Sequence, residues 1–117
     1  MSDNTRMINS DMEDRMTLDW QGTRAFFYGI GYNDADLEKP RVGIMNTWNE
    51  INPGHIHQQP LAQAVREGII EKGGLPFLFY GVNLCDCVGG GAYVLPSRDL
   101  RVNEIELNAK ALNLDAM

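Results

Sequence analysis

The sequence predicts an α/β fold, a partial parallel sheet in βαβα order that opens a larger three-layer domain. Three observations predict it. Two short apolar runs, Arg41–Asn46 and Leu75–Val82, are separated by a segment with helical spacing; a second helical segment follows; and Leu114–Met117 turns apolar again, as the first residues of a third strand would. Strands alternating with helices imply right-handed crossovers and parallel pairing. A parallel sheet needs cover on both faces, and two strands make a poor core, which is why the domain is read as part of something larger.

Along the chain, residues 1–16 show no helix or strand period and are rich in Asp, Asn and Ser, so they read as a flexible lead-in to a folded unit over 17–117. Trp20–Tyr32 mixes aromatic and helix-compatible residues and meets Gly29 and Gly31, which predicts a short helix stopped by glycine. Asn33–Asp36 supplies turn chemistry, and Lys39-Pro40 breaks the chain before the first strand. After that strand comes a polar loop closed by Pro53-Gly54.

From Pro60 to Lys72, Leu61, Ala64, Val65, Gly68 and Ile69 recur at helical spacing, with Pro60 suited to the first turn and Gly73-Gly74 ending the helix. Leu75–Val82 is almost continuously apolar, as expected of a strand covered on both faces. A glycine-rich loop, Asn83–Gly91, follows. Ser97 then suits the N-cap of a second helix whose stripe is Val102, Ile105, Ala109 and Leu112.

Composition excludes several classes of function. The 117 residues suffice for one small domain, and the net charge of −6 argues against nucleic acid or an anionic membrane as the main partner. No run approaches the ~18 apolar residues of a transmembrane helix. Met1–Met16 lacks the apolar stretch of a secretory signal, so the expected compartment is the cytoplasm. Cys85 and Cys87 are too close for a disulfide framework. Phosphate-loop, nucleophile-elbow and zinc-protease motifs are absent, and Gly29-Ile30-Gly31 is half a dinucleotide fingerprint set before a turn.

Three polar groups fall just beyond strand C-termini, where open α/β sheets hold their sites. They are Asn46-Thr47-Trp48-Asn49-Glu50, then His55-Ile56-His57, then Cys85-Asp86-Cys87. Two histidines at i and i+2 in extended chain point apart, which disfavours a shared metal; one as cap or hydrogen-bonder and one exposed is the plainer expectation. A lone Cys-x-Cys is half a zinc site at most, and buried inert thiols fit as well. Asp86 suits either a turn held by its own side chain or a hard cation such as magnesium.

The stretch Lys39-Pro-Arg-Val-Gly-Ile-Met-Asn-Thr-Trp-Asn-Glu-Ile-Asn-Pro-Gly-His-Ile-His57 resembles the first strand and loop of the iron–sulfur dehydratases, which include the dihydroxy-acid, phosphogluconate and sugar-acid enzymes. Leu61–Phe77 resembles their next helix and strand, and Tyr93–Asp99 with Asn103–Glu106 their second helix. The resemblance spans roughly residues 20–117, the opening part of a family member.

It implies a hydro-lyase that converts 2,3-dihydroxy acids or sugar acids to 2-keto acids, with an iron–sulfur cluster and magnesium as cofactors and a small hydroxy acid as substrate. By resemblance Asp86 matches the magnesium-ligating aspartate; Gly54 stands where some members carry a cluster cysteine; Cys85 falls at a variable position. The departures are Cys87 in place of the usual glycine and a shorter loop after it. The family's later cluster cysteines and its base are not in this chain. The resemblance therefore implies a partial form, inactive alone and holding magnesium weakly at most, that self-associates or pairs with the rest of the enzyme. The alternative is a non-catalytic binding or regulatory module derived from the same fold.

Overall fold

The computed structural model describes residues 16–81, 85, 88 and 91–117. In chain order they form α1 (Leu18–Gly29), α2 (Asp34–Leu37), β1 (Arg41–Asn46), α3 (Gln58–Glu71), β2 (Leu75–Tyr80) and α4 (Val94–Ala111). The expected lead-in, apart from Met16, lies outside the described residues. The α/β class and the parallel sheet stand.

The strands pair in parallel from Arg41↔Leu75 to Asn46↔Tyr80. Leu75 N–H donates to the Pro40 carbonyl at one end (2.8 Å) and Gly81 N–H to the Asn46 carbonyl at the other (3.0 Å). Odd-numbered residues of β2 therefore face β1, and Pro76, which has no N–H, faces the open edge where none is needed.

Across β1, Val42 bridges Ala116 in parallel. Asp115 N–H donates to the Arg41 carbonyl (2.8 Å) and Gly43 N–H to the Ala116 carbonyl (2.8 Å). The Asp115 carboxylate accepts from Arg41 N–H at 2.7 Å. Where a third strand is expected, residues 115 and 116 make this single bridge, and β1 lies between it and β2.

Alternation along the strands assigns the two faces. Arg41, Gly43 and Met45 share one with Leu75, Phe77 and Phe79. On it, the rings of Phe27 and Tyr32 pack edge-on to Phe77 with centroids 6.0 and 5.7 Å away, and the Arg41 guanidinium lies 5.0 Å over Phe27. That contact is one of those made by an arginine only 2% exposed. Leu114 comes so close to Gly43 that a Cβ there would sit 2.8 Å from its Cδ1. α3 lies against the other face, over Val42 and Ile44.

Three helices end alike. In α1 Gly31 N–H donates to Tyr28 and Tyr32 N–H to Phe27; in α3 Gly73 to Ile70 and Gly74 to Ile69; in α4 Asn113 to Lys110 and Leu114 to Ala109. Each is a Schellman stop, with Gly31, Gly73 and Asn113 at φ +98, +83 and +49°. The glycine stop expected at Gly29 and Gly31 is thus the actual end of α1.

Several expectations are corrected. Asn33–Asp36 is not a plain turn: Asn33 and Asp36 form a capping box that starts α2. The Arg24 guanidinium grips Asp34 through two 2.6 Å bonds and joins α1 to α2. That grip holds the Asp34 carboxyl down at about 2, so the clasp is intact at neutral pH and lost only as pH falls towards that value.

α4 begins at Val94 with Tyr93 as its N-cap, and Ser97 instead donates its hydroxyl to the Val94 carbonyl (2.7 Å). Pro96 is tolerated because the first turn lacks acceptors for its N–H groups. Of the α4 stripe, Ile105 and Ala109 are half-buried while Val102 and Leu112 are exposed. β2 is not covered on both faces, since Leu78 is 37% and Tyr80 51% exposed.

In α3 the buried residue is Ala62, not Leu61 or Val65, so the helix meets the sheet about one residue off the expected stripe. Leu37, 2% exposed, and Leu61, 55% exposed, therefore respond differently to truncation. Leu37→Ala should lose about 2–5 kcal/mol in urea unfolding, and Leu61→Ala no more than about 0.5.

Candidate functional site

β1 has β2 on one side and the bridge of Ala116 on the other, so the crossover through α3 runs one way across the sheet and the return through α4 the other. Open α/β sheets hold ligands at such a reversal, beyond the carboxyl ends of the strands. The segment at that position is residues 46–58, between β1 and α3.

This loop is held by its own polar side chains. Asn46, 4% exposed, accepts Trp48 N–H through Oδ1 at 2.9 Å. Asn49 Oδ1 accepts Asn52 N–H at 2.7 Å, and Asn52, 6% exposed, accepts Gly54 N–H at 3.0 Å. Each asparagine replaces a backbone acceptor that an irregular loop cannot provide. Asn46 Nδ2 is buried and takes no partner among the described residues.

Thr47 ties the loop to the start of α3. Its hydroxyl donates to Gln58 Oε1 at 2.9 Å and lies 2.9 Å from His55 Nδ1. The Thr47 carbonyl, which can only accept, is 3.2 Å from the same nitrogen. An Nδ1–H donates to that carbonyl, which sets the role of this ring nitrogen as donor. Trp48 Nε1 donates to the Ile56 carbonyl (3.2 Å) across the loop.

The histidines separate as expected: His55 is a half-buried hydrogen-bonder, and His57 is exposed at the N-cap of α3 without a side-chain cap. Cys85 is half-buried with a free thiol. Asp86, the expected magnesium ligand, lies outside the described residues, as does Cys87. Glu50 is exposed.

Among the described residues no group of three or more His, Cys, Asp or Glu side chains could hold a metal. At Gly54 a Cβ would stand 3.3 Å from Asn52 Oδ1, the oxygen that already binds the Gly54 amide. The described donors thus do not build a cluster or magnesium site. Sequence reading identified the asparagine-rich loop but missed Gln58 and the burial of Arg41. A buried arginine leaves no mark in a pattern of apolar residues.

A two-stranded parallel sheet with helices and a polar loop beyond β1 defines the class: an α/β unit consistent with the opening of a larger α/β domain. Residues 39–117 match the family described as Dihydroxy-acid/6-phosphogluconate dehydratase N-terminal. The dihydroxy-acid dehydratase of Pyrococcus abyssi is 42% identical over 98 residues, 80% of this chain and 18% of that protein. Dihydroxy-acid dehydratase 1 of Methanosarcina acetivorans is 41% identical and the enzyme of Methanococcus maripaludis 39%, with the same coverage. The chain belongs to this dehydratase family and spans 18% of the length of these curated relatives. No described helix is long and apolar enough to cross a membrane.

Thr47→Val keeps the shape of the side chain but removes both hydroxyl contacts. It should cost about 1 kcal/mol in urea unfolding and shift the His55 ring resonances. Unchanged stability and an unchanged ring spectrum would contradict the network.

Proposed function

We propose that this chain is the N-terminal segment of a hydro-lyase that removes water from 2,3-dihydroxy acids or sugar acids, giving 2-keto acids in the cytoplasm. The observation that supports the reading is the match of residues 39–117 to the dehydratase family, with 42% identity to a dihydroxy-acid dehydratase.

The reaction takes a proton from the carbon beside the carboxylate and a hydroxyl from the next carbon. The enol left behind becomes the keto acid. When bound, an iron–sulfur cluster and magnesium supply Lewis acidity for such a departure. The described donors do not build either site. What the chain contributes is a loop at the sheet's reversal, fixed by Asn46, Asn49, Asn52 and Thr47. Asp86, one residue past Cys85, is the proposed magnesium ligand of the completed protein. One carboxylate alone holds that ion weakly, because magnesium keeps most of its water.

Two outcomes are expected. The purified chain, supplied with iron, sulfide and magnesium, forms no 2-keto acid from dihydroxy or sugar acids; turnover above a buffer control would overturn the claim of inactivity. In a magnesium titration followed by amide resonances of residues 83–91, wild type responds weakly and Asp86→Asn does not. Equal responses would make Asp86 a turn residue only.

A further inference from the structure

One flank of α3 is open over β1. Two cavities of about 370 and 180 Å³ lie along it. Val65 lines both, so they form one groove, with Val42, Gly68 and Ile69 towards one end and Ile44 and Leu61 towards the other. Leu61 and Val65, 55% and 51% exposed, follow each other along this flank with Gly68, at i, i+4 and i+7. This is the part of the α3 stripe that the sheet does not use.

Gly68 is the second observation. It sits inside α3, where glycine costs about 1 kcal/mol relative to alanine. Yet a Cβ built on Gly68 meets nothing within 4 Å, whereas one on Gly74 would strike Ile69 at 2.7 Å. Among the described residues nothing packs on Gly68, as is also true of Gly22 in α1, but Gly68 alone of the two lines the groove, where its missing side chain leaves room for a close approach.

We propose that the groove seats an amphipathic helix from the part of a dihydroxy-acid dehydratase polypeptide outside the segment this chain matches, with its backbone passing closest at Gly68. The inference rests on the reading that the chain works within a larger dehydratase. Its relatives contain such a part, because the matched segment is 18% of their length. Parallel sheets carry helices side by side on each face, and a glycine at the contact lets two helix axes approach towards the ~8 Å limit. The groove runs parallel to α3, as a neighbouring helix in that layer would.

The test replaces the matched 98-residue segment of the Pyrococcus abyssi enzyme with this chain. Side-chain labelling by hydroxyl radicals is then compared between the chimera and the chain alone. Leu61 and Val65 should label readily in the chain alone and severalfold less in the chimera. Gly68→Leu should leave the melting temperature of the chain alone unchanged or higher, because leucine is the better helix former. The same change should lower that of the chimera by several degrees, because the side chain fills the occupant's place.

Equal labelling in the two proteins, or a harmless Gly68→Leu in the chimera, overturns the proposal. So does a chimera that fails to fold when the chain alone folds, and so does protection of the chain alone that grows with its concentration, which would make a second copy the occupant. Turnover is scored separately. A covered groove without turnover leaves this inference standing and sinks the proposed activity, while turnover with an exposed groove does the reverse.

Discussion

A parallel strand inside a sheet must pair along both edges and be covered on both faces, and β1 is where this chain meets that demand. β2 donates to it from Leu75 to Gly81, and residues 115 and 116 close the other edge at Arg41 and Gly43. The Asp115 carboxylate adds a bond to the Arg41 amide, so one residue anchors the returning chain to the start of β1. The order of the sheet, and with it the position of the 46–58 loop, depends on that return.

The two faces of β1 are treated unequally. One carries Arg41, Gly43 and Met45, and the aromatic residues of α1 and β2 pack there with the guanidinium against Phe27. Gly43 is required at its centre because Leu114, Met117 and Phe79 all lie within 3.2 Å of where its Cβ would stand. On the other face α3 buries Ala62 yet leaves Leu61 and Val65 in solvent, and Leu78 and Tyr80 of β2 are exposed as well. This imbalance stands beside the family membership and the 18% coverage of the curated relatives.

Much of the fold was legible because glycines, prolines and apolar spacing act locally. The strand Arg41–Asn46 and the stops after Gly29 and Lys72 follow from residues within a turn of one another. Misreadings occurred where the deciding partner is distant or context shifts a boundary. Ser97 resembles a cap, but Pro96 is acceptable in a first turn, so α4 starts four residues earlier and the serine hydroxyl turns back to Val94. Asn33 and Asp36 read as a turn because their reciprocal bonds become a helix start only when both form. At the loop, residue types pointed to a polar site, but the Thr47–His55–Gln58 network depends on the angle at which α3 leaves the loop. No spacing rule supplies that angle.

The claim that β1 is an inner strand, paired on both edges, is tested most directly by native-state hydrogen exchange. The account predicts that the Gly43 amide, bonded to Ala116, exchanges as slowly as the Gly81 amide, bonded to Asn46 on the opposite edge. A Gly43 amide exchanging as fast as a solvent-exposed loop amide, with Gly81 still protected, would contradict it: residues 114–117 would not close on β1, and the reversal that places the loop would be lost.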